Sequence, residues 1–320
     1  MVFMGTPSLA AHILERMIAA SRPPSDDAAS NARFHVVGVI TRPDQPRGRR
    51  LQMEPSEVGA VAARHAIPTL KPVKIRTPEF LAELIAFEPD LLVVAAYGRI
   101  LPQSILDVPK IAPINVHASL LPKYRGAAPI EAAILAGEHE TGVTIMRIIE
   151  QMDAGPTYLH RRIPIAPDDT QGTLKEKLAE LGADAILEAI ALLIRGELKE
   201  TPQDEAAATY TSQIEKADAA IDWSKPASAI ERMTRAYDPW PVARTTLGGE
   251  EILIWRAAVE NERSSSEVPG TIVNLKPSPI VQCGVGRLRL IEVQAPGRKR
   301  MPAADFFRGK RIGVGARLGA

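Results

Sequence analysis

The chain has 320 residues, of which 45% are hydrophobic and 24% charged, with a formal net charge of +1. That length predicts about two domains at roughly 100–200 residues each, and the composition fits an ordinary soluble protein with a sizeable core. No run reaches the roughly 20 apolar residues that span a bilayer, and a lone cysteine, Cys283, excludes an internal disulfide and a thiolate zinc cluster.

The first residues carry neither a basic n-region nor a cleavage site, so no signal peptide is expected and the cytoplasm is the expected compartment. MVFMG is a short apolar run, followed by Thr6 as N-cap, Pro7 at the first helical position and a helix over Ser8 to Ala20. A polar insert from Arg22 to Arg33 reads as a loop before the buried strand FHVVGVIT, Phe34 to Thr41. MEPSEVGAVAARHA is helical, IPTL extended, and TPEFLAELIAFE a capped helix. PDLLVVAAYG and INVHAS are strands, and APIEAAILAG is a helix ending at Gly137. TGVTIMRIIE and TYLHRRIPIA read as strands, and the stretch from Thr170 to Glu197 as long amphipathic helix. Alternation of this kind predicts an α/β fold, an open, mostly parallel, Rossmann-like sheet with helices on both faces.

After Gly196 the pattern changes. ELKETPQDEAAATYTSQ is polar and irregular, which places a linker at 197–209 between a domain at 1–196 and another at 210–320. Beyond it, one helical stretch (SAIERMTRAY) and short strands (EEILIWRAAV, GTIVNL, PIVQCG, GRLRLIEVQ) are split by Pro, Gly and Ser. The second domain is therefore expected to be small, mainly β and open-barrel-like. From Arg287 to Arg317 nine Lys/Arg face only Glu292 and Asp305. Such an excess suits a polyanion, and it suits a solvated face as well.

Ligands of open α/β sheets bind beyond the carboxyl ends of the strands. INVHAS ends there, and period-two alternation puts Asn115 and His117 on one face of it. Asn115 offers a neutral amide donor at any pH and His117 donates or accepts near neutrality; two polar residues satisfying a loop would give the same pattern. Asp153, before Ala-Gly-Pro, is a turn residue on its own, and a carboxylate partner for the imidazole if packing brings it within reach. No G-x-G-x-x-G, Walker lysine or G-x-S-x-G elbow is present, and the six histidines lack metal-type spacing.

These stretches, with FMGTP, VVGVITRPDQPRGRR, SLLPKYRGAAPI, MDAGP and the late DPWPVAR, resemble the methionyl-tRNA formyltransferase family. The resemblance runs from the first residues into the C-terminal domain and is weakest after about Ser264. It implies transfer of a formyl group from 10-formyltetrahydrofolate, the donor substrate, to the α-amino group of methionyl initiator tRNA, with no metal. It assigns Asn115 and His117 to the oxygen of the tetrahedral intermediate and Asp153 to orienting the histidine and moving the proton. Ser119, Leu120, Leu121 and Pro122, with Tyr97 and Gly98, would line the tetrahydrofolate site. Arg42, Arg47, Arg49 and Arg50 on one loop, and Arg298, Lys299 and Arg300 in the tail, would face the tRNA. A monomer, with no membrane partner, is expected. The sequence starts almost at its first strand, where family members have a few more residues. A formyltransferase acting on a small amine would share the same three residues but needs no second basic domain. A folate- or RNA-binding module without catalysis would have no use for them.

Overall fold

The computed structural model describes residues 1–21, 34–47, 52–261, 263 and 266–319. The insert at 22–33, Arg49 and Arg50 therefore lie outside the described residues. Two compact units emerge: one comprises Met1–Pro129, Glu140–Pro164 and Lys175–Thr211, the other Ile130–His139, Ile165–Leu174 and Ser212–Ala320. Among the described residues no helix is long and apolar enough to cross a membrane.

The first unit begins with β1 (Val2–Gly5), α1 (Ser8–Ala20), β2 (Gly38–Ile40) and the hairpin β3 (Gln45–Arg47) and β4 (Gln52–Glu54). It continues through α2 (Glu57–Arg64), β5 (Thr69–Leu70), α3 (Pro78–Ile85), β6 (Leu91–Ala95), α4 (Gln103–Leu106) and β7 (Ala112–His117). After β8 (Arg125–Gly126) the chain forms α5 (Pro129–Ala136), which from Ile130 groups with the second unit. It returns through β9 (Glu140–Arg147), β10 (Thr157–Pro164), α6 (Gln171–Ile194), in the first unit from Lys175, and β11 (Tyr210–Thr211). The main sheet runs β10-β9-β7-β6-β1-β2-β5. The five strands from β7 to β5 are parallel, and β9 runs antiparallel to both its neighbours, β7 and β10.

The central strands are buried along their whole length because both sheet faces are covered, which is why they read as unbroken apolar runs. Val2, Met4, Leu92 and Val94 pack one face against Phe80 and Leu84 of α3 and Ile105 of α4. On the other, Gly182 brings α6 within close reach of Val116 and of Ile13 in α1, where an added Cβ would meet them at 3.1 and 3.3 Å. Ser56 caps α2 by accepting from Gly59 N at 2.9 Å, and Thr77 caps α3 ahead of Pro78. The cap of α1 is Pro7, one residue later than the sequence predicts, because Pro7 is still extended.

The polar stretch at 197–209 is mostly exposed, and it is also tied back to the first unit. Thr201 exchanges backbone hydrogen bonds of 2.8 Å with Thr157, and Tyr210–Thr211 adds a strand beside Arg125–Gly126. Gln203 and the backbone of Thr201 bond to the first unit, while most of the stretch stays exposed.

The second unit holds α7 (Ala227–Ala236), β12 (Arg244–Leu247), β13 (Glu250–Asn261), β14 (Ile272–Asn274), β15 (Ile280–Gln282), β16 (Arg287–Gln294), β17 (Met301–Pro302) and α8 (Ala303–Gly309). Its antiparallel sheet is ordered β12-β13-β16-β15-β14, with β17 on β16. Single bridges from Leu318 to Leu247 and from Arg317 to Thr271 link its two ends through the chain's last residues, so the sheet is barrel-like without a continuous closing ladder. Trp223, Ile254, Leu288, Leu290 and Phe307 fill the interior, with Cys283 among them. Burial pushes the Cys283 thiol up to about 12. Iodoacetamide at pH 8 should therefore leave the native protein unmodified and alkylate it once denatured; rapid native labelling, read by mass spectrometry, would contradict this burial.

Candidate active site

β7 delivers Asn115 and His117 to the carboxyl edge of the sheet. Its antiparallel partner β9 sets Asn115 opposite Met146 and His117 opposite Thr144. The chain leaving β9 then turns back at Asp153, which adopts φ +51°, uncommon for a non-glycine residue. This turn brings the three residues together. Asn115 Nδ2 lies 3.5 Å from Asp153 Oδ1, and His117 Nδ1 lies 3.7 Å from Asp153 Oδ2. The second separation exceeds direct hydrogen-bond range, so the imidazole and the carboxylate are coupled through charge or a bridging group. Gly126 N donates to Asp153 Oδ2 at 2.8 Å.

His117 is only 6% exposed, and its Nε2 lies 2.9 Å from the Tyr124 carbonyl oxygen. A carbonyl only accepts, so Nε2 carries the proton and in the neutral ring Nδ1 is left bare. Tyr124, not Asp153, thus fixes the tautomer. Gly126 sits at φ +113°, and a Cβ there would fall 2.2 Å from Thr211 O, so only glycine permits this approach of β8 to β11.

The loop after β7 is knitted to β9 by one side chain: Thr144 Oγ1 donates to Ser119 O at 2.7 Å and accepts from Leu121 N at 3.0 Å. Ser119 Oγ donates to Lys123 O, and His160 Nε2 meets Leu121 O at 3.2 Å. Burial lowers the pKa of His160, favouring the neutral ring. Pro122 follows a cis peptide bond, and Pro122 O accepts from Thr209 N. Tyr97 and Gly98 lie just beyond β6, the strand beside β7. Tyr97 is 2% exposed and its hydroxyl has no partner among the described residues, while burial pushes its pKa up. Gly98 O accepts from Arg42 Nη2 at 2.7 Å, which ties Arg42 to the same sheet edge.

Arg47 closes β3 opposite Gln52. In the second unit Arg298, Lys299 and Arg300 are exposed. Arg300 lies over the Trp255 ring, 3.1 Å from its centroid, and 3.9 Å from Asp238 Oδ1. Arg289, Arg308 and Lys310 pair with Glu260, Asp305 and Glu250, so the basic count of the tail overstates its free charge. Arg298 and Lys299 have no acidic partner among the described residues.

Several contributors escape a reading of the sequence. The Tyr124 carbonyl and the Gly126 amide are backbone groups without a side-chain signal, and Thr144 looks like any strand threonine. Gln203, which donates to Asp153 O at 2.8 Å and Gly155 O at 2.7 Å, comes from the stretch that reads as a linker. No group of three or more His, Cys, Asp or Glu suited to a metal ion occurs among the described residues.

Residues 4–190 match the family model described as formyl transferase, and residues 213–311 match that of the formyl transferase C-terminal domain. The methionyl-tRNA formyltransferase of Methylococcus capsulatus is 44% identical over 318 residues, covering 98% of this chain and 99% of that protein. The methionyl-tRNA formyltransferase of Roseiflexus sp. is also 44% identical, over 99% of this chain and 94% of its own length. The crystal structure of the N-formyltransferase from Helicobacter canadensis, in complex with folinic acid and dTDP-3-aminofucose, has the same fold. Its TM-score is 0.66 at 19% identity, over 90% of this chain and 97% of that one. With both family domains matched and identity this high over nearly its whole length, the chain belongs to the methionyl-tRNA formyltransferase family.

Proposed function

We propose that Asn115, His117 and Asp153 carry out the transfer of a formyl group from 10-formyltetrahydrofolate to the α-amino group of methionyl initiator tRNA. The observation that supports this most is the convergence of an amide, an imidazole and a carboxylate at one sheet edge. The amine, with a reference pKa of about 7.7–8.0, is substantially neutral at cellular pH. Its nitrogen attacks the formyl carbon, the carbonyl electrons move onto oxygen, and the intermediate collapses by breaking the bond to N10 of the folate. The amine loses one proton and N10 gains one. Asn115 has a second N–H to aim at the oxyanion besides the one facing Asp153. His117 Nε2–H turns from the Tyr124 carbonyl to the same oxygen, and the carbonyl gives up that donor. Asp153, facing both, holds the proton in transit.

In the same proposal Tyr97, Gly98 and Ser119 to Pro122 surround the tetrahydrofolate. Residues 1–211, without the two excursions that group with the second unit, make the catalytic domain, and the C-terminal unit meets the tRNA. Arg42, Arg47, Arg49, Arg50, Arg298, Lys299 and Arg300 supply phosphate contacts. The protein works as a monomer in the cytoplasm. Supplying 10-formyltetrahydrofolate with methionyl initiator tRNA, then with small amines, and following the formylated product tests the acceptor. Formylation of a small amine alone would overturn it.

Because Arg300 is engaged with Trp255, the cleaner test of the tail reverses only Arg298 and Lys299. The double Glu variant should bind methionyl-tRNA more weakly. For every phosphate no longer neutralised, the dependence of log affinity on log salt should flatten by roughly 0.7–0.9. Equal affinity and equal salt slope would remove this cluster from the tRNA surface.

A further inference from the structure

We propose that Gln203 is a positioning residue for the reaction, setting the direction of the Asp153 carboxylate through its main chain. The inference rests on reading Asp153 as the carboxylate that handles the proton. Gln203 uses all four hydrogen-bonding positions of its amide. Nε2 donates to Asp153 O at 2.8 Å and to Gly155 O at 2.7 Å. Oε1 accepts from Arg125 Nη2 at 2.9 Å and Nε at 3.2 Å. The orientation of the amide has one solution, since a guanidinium only donates and carbonyls only accept.

Arg125 is the fixed end of this brace. Its guanidinium is fully buried, and Glu205 takes both Nη1 and Nη2, at 2.9 and 2.7 Å, with Tyr210 Oη also in reach of Nη1 at 3.2 Å. The Glu205 carboxylate pushes the guanidinium pKa up, and the guanidinium holds Glu205 below its usual range. Meanwhile the backbone on either side of Arg125 touches the other reacting groups: Tyr124 O takes His117 Nε2, and Gly126 N reaches Asp153 Oδ2. The tripeptide Tyr124-Arg125-Gly126 therefore grips the histidine directly, and the aspartate twice, once at its carboxylate and once through Gln203 at its carbonyl. Asp153, at φ +51°, needs such a hold to keep its carboxylate aimed.

The distinguishing variant is Gln203→Glu. It keeps an acceptor for Arg125 but sets a carboxylate oxygen against two carbonyls, so the brace on the loop breaks while the buried arginine stays paired. Single-turnover formylation should slow by about 10-fold or more, in line with the cost of small misplacements of reacting groups. Affinity for folinic acid should stay within about twofold, and the thermal midpoint close to wild type. Gln203→Met, which removes both halves of the contact, serves if the Glu variant does not fold, with the same expected slowing. Asp153→Asn is assayed alongside. A normal rate in the Gln203 variant beside a slow Asp153→Asn overturns the inference alone. A normal rate in Asp153→Asn overturns the reading of Asp153 and the inference with it. Folate affinity falling in step with rate would assign Gln203 to the folate loop and also overturn the proposal.

Discussion

Asp153→Asn should cut formylation by about 10²–10⁴-fold, the range removed with a positioned acid–base group. The substitution keeps shape but not charge. Its amide oxygen must turn to the Gly126 N–H, which is a donor 2.8 Å from Asp153 Oδ2. The NH2 group then faces Asn115 Nδ2, another donor, across the 3.5 Å that the carboxylate oxygen now spans. A favourable contact becomes a repulsive one, and the carboxyl that holds the proton is gone. The backbone brace from Gln203 is unaffected, so the fold should survive. The measurement is the pH–rate profile of the chemical step, taken in single turnover; an unchanged profile would sink the role given to Asp153.

Asn115→Ala should lower turnover by about 10²–10³-fold, with folinic acid affinity nearly intact. A preorganised donor at a developing oxyanion is worth roughly 2.7–4 kcal/mol, and the amide makes that bond only as charge appears. β7 is held on both sides, by Val94 of β6 and Met146 of β9, so the truncation should not move the strand. Asp153 keeps its Gly126 donor and gives up only the longer hydrogen bond to Asn115. If binding of folinic acid falls as steeply as turnover, Asn115 positions the substrate rather than stabilising the transition state.

Asn115 and His117 are legible in the sequence because their chemistry is local: a strand, a period of two, and the end of an apolar run. Asp153 is legible only as one of two alternatives. Its approach depends on β9 doubling back beside β7, which joins it to Asn115 across 38 residues of chain. The segment at 197–209 reads as a linker because composition does not reveal that Thr201 and Gln203, in a mostly exposed stretch, bond back to the first unit. Its partner at Arg125 lies 78 residues from Gln203. In the tail a charge count is silent about pairing, so Lys310 beside Glu250 and Arg298 in the open look alike on paper. Arg49 and Arg50 lie outside the described residues.

The lacing of residues 201–211 decides where this protein can be divided. Family models end at 190 and resume at 213, and a designer following them would cut near 196 to free a catalytic half. Such a fragment would discard Gln203, Glu205 and Tyr210, opening Arg125 to water and leaving the aspartate loop unsupported. The first unit extends through Thr211, whose carbonyl and hydroxyl receive the amides of Ala127 and Ala128. What joins the two halves of the gene product is thus also the last strand of the first.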